Sequence, residues 1–254
     1  MFNYTAPNDL LKDRIILVTG AGDGIGRATA LAYAKAGATV ILLGRTEAKL
    51  DAVYDEIEAS GGAQPAIIPM DLDTASEPDY IELSNTLFDT FGRLDGVVHN
   101  AGVLGARTSI ENYDPITWEK VMRVNLTAPF IMTQTLLPLL RRSEDASIIF
   151  TSSGVGRKGR AYWGAYAVSK FATEGLMQTL ADEIENEPNL RVNAINPGGT
   201  RTPMRAYAYP AEDPFKLPTP EEIQPAYLFL MGPDSKRVNG QSIDAQGDMS
   251  ASQL

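Results

Sequence analysis

The 254-residue sequence contains no cysteine and a single histidine, His99. Disulfides, thiolate nucleophiles and thiolate metal sites are excluded, and a histidine-based metal cluster has no material, so no metal is expected. Blocks of basic residues are also missing. Lys and Arg number 22 against 32 Asp and Glu, and the formal charge of −10 is spread along the chain. A phosphate backbone would meet no basic stripe, which argues against a nucleic-acid partner. No apolar run approaches the length of a membrane span, and the opening "MFNYTAPNDLLKD" lacks the basic-then-apolar order of a secretory signal. The expectation is a soluble, cytoplasmic protein with no membrane partner.

What is present is rhythm. Short apolar runs ("RIILVTG", "TVILLG", "AIIPMDL", "LDGVVHNAG", "SIIFTSS", "LRVNAINPG", "GQSIDAQ") alternate with longer amphipathic segments. Parallel neighbouring strands need crossovers, usually helical, so this alternation predicts an α/β fold. The fold class expected is a single doubly wound Rossmann-type domain over residues 1–254, with a mainly parallel, seven-stranded sheet. Residues 200–225 break the rhythm with prolines and aromatics, and a long excursion of this kind reads as a substrate lid loop or as disorder. The closing "GDMSASQL" reads as an ordinary tail.

Between the first two apolar runs stands "TGAGDGIG". The G-x-G-x-x-G spacing would need glycine at Ile25 or Arg27; the spacing that fits is G-x-x-x-G-x-G, with Gly20, Gly24 and Gly26. Glycines there let the backbone approach a ligand, and the helix that follows offers free N–H groups to a pyrophosphate. A nucleotide-hydrolase loop is excluded because Gly26 is followed by Arg27-Ala28. A turn that only packs helix on strand remains the plain alternative. The second run ends in Gly44-Arg45, where an acid would select NAD by bonding the ribose 2′-hydroxyl and an arginine suits the 2′-phosphate of NADP. Arg45 is therefore either an NADP(H) determinant or a solvated arginine at a helix start.

Of ten tyrosines, only Tyr166 is followed by lysine four residues on, at Lys170, which puts both on one face of a helix. A phenol is a poor acid or base at neutral pH until a cation stabilises its phenolate, and Lys170 can supply that charge. Ser153, after the fifth run, is placed to hold a substrate oxygen, and Asn125 to hold a water that links the lysine to solvent. Taken singly, Ser153 could cap a turn, Tyr166 could be an interface aromatic, and Asn125 could kink a helix. The aromatics Tyr162, Trp163, Tyr207, Tyr209 and Phe215 suit either a pocket wall or loop and subunit contacts. Arg157, Lys158 and Arg160 suit either an anionic substrate or a solvated loop.

Together these residues carry a resemblance. Over residues 11 to about 247 the chain resembles the short-chain dehydrogenase/reductase family, whose T-G-x-x-x-G-x-G opening is matched from Thr19 to Gly26. The family's N-N-A-G is matched as "HNAG", with His99 at its first position and Asn100, Ala101 and Gly102 intact. That substitution puts the rigidity of the turn in doubt. Within the family the chain resembles the YciK-type oxidoreductases, through "NPGGTRT" and "TSSGVGRKGRAYWGAYAVSKFATEG".

The resemblance implies a catalytic tetrad of Asn125, Ser153, Tyr166 and Lys170. It implies cofactor contacts from Gly20, Asp23, Gly24, Ile25 and Gly26 in the glycine turn, and from Arg45, Asp71 and Leu72 near the adenosine. Asn100, Ala101 and Gly102 would contribute in the middle, and Pro197, Gly198, Thr200 and Thr202 beside the carboxamide, with Tyr166 and Lys170 at the ribose. Some NADP-linked members carry a basic residue where this chain has Asp23, so cofactor choice rests on Arg45. The implied activity is hydride transfer between NADP(H) and a small-molecule carbonyl or secondary alcohol, in a homodimer or homotetramer. The competing reading is an NADP(H) redox sensor or interaction module without turnover.

Overall fold

The run at residues 15–19 becomes β1 (Ile15–Thr19), with all five side chains buried, and β5 (Ala146–Thr151) is buried at all six positions. Unbroken apolar runs of this kind belong to parallel strands covered on both faces. The computed structural model describes residues 1–253. The remaining strands are β2 (Thr39–Gly44), β3 (Ala66–Pro69), β4 (Gly96–His99), β6 (Leu190–Asn196) and β7 (Ser242–Asp244). They form one seven-stranded sheet in the order β3-β2-β1-β4-β5-β6-β7, and every pairing is parallel. The single domain and the seven strands agree with the sequence reading. β3 is shorter than "AIIPMDL" suggests, so Asp71 lies beyond its end.

The connections are α1 (Gly24–Lys35), α2 (Glu47–Ala59), α3 (Glu77–Phe91), α4 (Pro115–Met122), α5 (Ala128–Leu140), α6 (Gly164–Glu183), α7 (Pro203–Ala208) and α8 (Gln224–Met231). Local chemistry sets several ends. Ser76 and Asp79 form a capping box at the start of α3, and Gly92 ends it in the left-handed region at φ 73°. One face of the sheet packs Tyr33, Tyr227 and Phe229 against β1 and β2; the other packs Met132, Leu136, Met177 and Leu180 against β4 to β6. Among the described residues no helix is long and apolar enough to cross a membrane.

The chain leaves β1 for β2 and β3 on one side and returns to β4 on the other. Ligands of open α/β sheets bind at such a reversal, outside the carboxyl ends of the strands. Residues 200–225 are more regular than their prolines suggest. They contain α7 and a short turn at Pro214–Lys216, held by Arg205 on Glu212 and by Arg201 on the carbonyls of Pro214 and Leu217. The tail is also engaged: Ser250 bridges Asn3, and the Asn3 N–H donates to the Met249 carbonyl at 3.1 Å.

Candidate active site

A cleft of about 510 Å³ opens at the reversal. Its floor is the glycine turn between β1 and α1, where Gly20 and Gly24 adopt φ of +67° and +52°. A side chain at Gly26 would place its Cβ 2.2 Å from the Gly20 carbonyl oxygen and 2.5 Å from Asn100 Nδ2. Gly26 therefore packs the helix onto the turn and does not line the cleft, whereas Gly20, Asp23, Gly24 and Ile25 do. Asp23 caps α1 by accepting from the Gly24 N–H at 2.7 Å, and its other oxygen pairs with Lys49 at 2.5 Å. Lys49 also lines the cleft; sequence reading missed it, because only the fold brings α2 against this turn.

The Thr19 hydroxyl ties the turn to the segment after β4. It accepts from the N–H groups of Asn100 and Ala101, each at 3.0 Å, and the Asn100 amide donates back to the Thr19 carbonyl at 3.2 Å. Asn100, Ala101 and Gly102 all face the cleft. His99 points the other way. It stacks on Phe150 with ring centres 4.8 Å apart and meets the Thr133 hydroxyl at 2.9 Å, and burial drags its pKa down to about 3. It is thus a neutral core residue, and Thr19 with Asn100 supplies the rigidity that the histidine put in doubt.

Arg45, Asp71 and Leu72 line the far end of the cleft. Arg45 makes no ion pair among the described residues. Asp71 accepts from the Asp73 N–H at 3.0 Å. Pro197, Gly198, Thr200 and Thr202 form the opposite rim, and a Cβ at Gly24 would only touch the Thr202 methyl group, at 3.4 Å, so it is the positive φ that calls for glycine there. Backbone cradles that a Cβ would fill, the start of α1 and an unpaired arginine fit a phosphorylated dinucleotide.

At the other end Ser153, Tyr166 and Lys170 line one wall. Ser153 follows β5; Tyr166 and Lys170 stand one turn apart on α6. Lys170 Nζ donates to the Thr151 carbonyl at 2.6 Å and lies 5.6 Å from the centre of the Tyr166 ring. Burial pushes the Tyr166 phenol up to about 12, opposed by the Ser153 hydroxyl. Burial likewise drags Lys170 down to about 8, opposed by the charge of Glu174.

Asn125 does not line the cleft. It sits in a π-helical turn (Arg123–Thr127) between α4 and α5. Its Oδ1 accepts from the Val103 N–H at 2.8 Å, and its amide donates to the Val103 carbonyl at 2.9 Å and to Ser169 Oγ at 3.1 Å. The side chain is occupied in clamping the segment after β4 to α6, which leaves neither amide hydrogen free to hold a relay water.

Trp163, Leu104, Met204 and Ala208 wall the space beside Tyr166, and sequence reading had singled out only Trp163 of these. Trp163 packs against Tyr166 and Tyr209 with ring centres 5.7 and 5.9 Å away. Phe215 is 81% exposed and lies under Arg201. Arg157 faces away from the cleft, paired with Asp244 at 2.8 Å and near Glu174 at 3.7 Å, so it is a structural residue and not an anion lure.

The sequence pattern of short chain dehydrogenases matches residues 14–213. The chain belongs to the short-chain dehydrogenase family. The oxidoreductase YciK of Escherichia coli K12 is 56% identical over 244 residues, covering 96% of each chain. A short chain dehydrogenase from Pseudomonas syringae superposes with a TM-score of 0.95 at 59% identity, over 97% of this chain and all of that one. Another, from Shigella flexneri and complexed with NADP, has a TM-score of 0.93 at 56% identity, over 95% of this chain and all of that one.

Proposed function

We propose that this short-chain dehydrogenase transfers a hydride between NADP(H) and a carbonyl or secondary alcohol. The observation that carries the reading is the convergence of Ser153, Tyr166 and Lys170 on one wall of a cleft floored by the glycine turn. The preference for NADP(H) over NAD(H) rests on unpaired Arg45 beside Gly44, where an acid would select NAD, and on the relative from Shigella flexneri complexed with NADP.

The bound cofactor supplies or accepts the hydride. Gly20, Gly24 and the start of α1 would receive its phosphates and Arg45 its 2′-phosphate, and Asp71 and Leu72 would border its adenine. Asn100, Ala101 and Gly102 would border it between the two ends, and Pro197, Gly198, Thr200 and Thr202 would hold its carboxamide end. The Ser153 hydroxyl donates to the substrate oxygen and holds charge that develops there. Tyr166 is protonated at neutral pH, with its phenol pushed up to about 12, which is the form that gives a proton to that oxygen in reduction. In the reverse direction the substrate hydroxyl gives its proton to the Tyr166 phenolate, whose charge the Lys170 cation stabilises. Asn125 keeps Val103 and α6 in register, so it acts by positioning.

The test is carbonyl-dependent NADPH consumption across ketones, aldehydes, quinones and 3-oxoacyl thioesters, with Tyr166→Phe beside the unaltered protein. Turnover with NADPH that vanishes in the variant is expected. NADPH binding without turnover on any carbonyl would overturn the reading. A homodimer or homotetramer is proposed as well, supported by half-exposed Phe130 on α5 with Val168 and Phe171 on α6. Sedimentation of a monomer at micromolar concentration would refute it.

A further inference from the structure

We infer that Arg107 determines specificity by holding an anionic end, a carboxylate, on an elongated carbonyl substrate; this rests on the function proposed above. Arg107 lies four residues beyond Val103 in the segment after β4, which Asn125 clamps at Val103. Its guanidinium lies 4.8 Å from the Trp163 ring and 4.9 Å from the Tyr209 ring, and Nη1 donates to the Ala208 carbonyl. Two aromatic faces and one carbonyl thus fix the group in place.

Arg205 and Arg201 are already spent. Arg205 lines the cleft but is neutralised by a two-pronged pair with Glu212, at 2.6 and 2.7 Å. Arg201 gives Nε and Nη2 to backbone carbonyls and borders neither opening. Arg107 has no carboxylate partner among the described residues, and its remaining N–H groups have no protein acceptor there. A guanidinium with a free edge matches a carboxylate two-pronged.

Position gives the substrate its length. Arg107 lines an open recess with Tyr162, Tyr207 and Ala208, and Ala208 also borders the main cleft. Trp163 stands between the two, 5.7 Å from Tyr166 and 4.8 Å from Arg107. A substrate with its carbonyl at Tyr166 and its carboxylate at Arg107 would lay its apolar middle along Trp163 and Leu104. The recess is also built under strain: Tyr162 is held at φ 68°, a left-handed conformation that a non-glycine residue keeps only where its surroundings demand it, and such residues cluster at ligand clamps. With a net charge of −10 the chain as a whole repels anions, so a fixed local cation is what an anionic substrate needs.

The test pairs straight-chain oxo acids of increasing length with their methyl esters, each assayed with NADPH on the unaltered protein, Arg107→Met and Arg107→Lys. At the length that spans Trp163, the acid should exceed its ester in kcat/KM by about tenfold or more. Arg107→Met should abolish that advantage through KM while the ester constants hold, and Arg107→Lys should keep part of it. Acids no better than esters, or an equal loss for both in Arg107→Met, would overturn the inference and leave the proposed reaction standing. If no oxo compound is turned over, calorimetry of straight-chain carboxylates on the NADPH-loaded protein reads the recess alone. Binding that is lost in Arg107→Met would support the anion site; absence of binding would overturn it.

Discussion

Two buried charge clusters sit at opposite ends of one sheet. At the amino ends of the strands, Asp95 accepts from the Ile15 N–H at 2.8 Å, the Ser143 hydroxyl at 2.6 Å and Arg93 Nε at 3.0 Å. Beside it Asp145 lies between Arg14 and Arg191. Each charge there meets an opposite charge, and Arg14 Nε is the one buried side-chain nitrogen without a partner among the described residues. At the carboxyl ends, Lys170 meets a carbonyl, and Ser153 and Tyr166 face open space. Both clusters incur the cost of burial, but one is closed on itself and the other is left open toward a ligand. A closed network fixes structure; an open one keeps groups available for chemistry.

The largest effects should separate the two ends cleanly. Tyr166→Phe is expected to lower turnover about a hundred- to ten-thousand-fold, the range of general acid–base catalysis, without lowering the melting temperature. Asp145→Ala leaves two arginines facing each other and is expected to cost about 3–5 kcal/mol of stability, with kcat/KM intact at temperatures where the protein stays folded. Denaturant titrations beside steady-state kinetics read both. Burial alone would raise the Asp145 pKa, but Arg191 and Arg14 outweigh it and hold the carboxyl below its ordinary value. Its stabilisation is therefore full above the ordinary carboxylate pKa and is lost as the pH falls through the depressed value. Acid sensitivity that is unchanged in Asp145→Ala would contradict the contrast.

A smaller effect belongs to the far end of the cleft. Arg45→Ala removes a charge-assisted hydrogen bond, about 1.5–3 kcal/mol, so NADPH affinity should fall about 10- to 150-fold while NADH affinity holds. Lys49 already spends its charge on Asp23, so Lys49→Ala should weaken NADPH less. Fluorescence titration with both cofactors measures this, and equal NADPH affinity in Arg45→Ala would remove the basis for NADP preference.

Much of this was legible in the chain because it is local. Apolar runs, the glycine spacing and the Tyr166–Lys170 offset each lie within one strand–turn–helix unit, and all emerge in place. What stayed hidden depends on contacts between distant segments. Asn125 spends its amide on Val103 and Ser169, and Arg157 turns to Asp244. Arg107 meets Tyr209 across about a hundred residues of chain, and no periodicity announces such a pair. His99 looked like a weakened turn residue because its side chain's direction into the core cannot be read from its neighbours.

The smallest expected effect lies where the two kinds of network meet. Glu174 stands one turn beyond Lys170 on α6 and is 6% exposed. It accepts from the hydroxyls of Ser152 and Ser242, the first of them adjacent to Ser153. Burial has dragged Lys170 from its ordinary 10.5 to about 8, and Glu174 is the charge that resists the fall. The cation that the phenol needs is thus lost as the pH rises through about 8, so turnover should decline on that limb. Glu174→Gln keeps the shape and removes the charge, so the alkaline limb should move to lower pH while the acid limb stays. Stability carries the matching sign. An unfolded lysine binds a proton that the folded one has released between about 8 and 10.5, so stability rises across that window, and in Glu174→Gln the rise should begin at lower pH. An alkaline limb that stays fixed in Glu174→Gln would mean that Lys170 is not the group whose charge supports Tyr166.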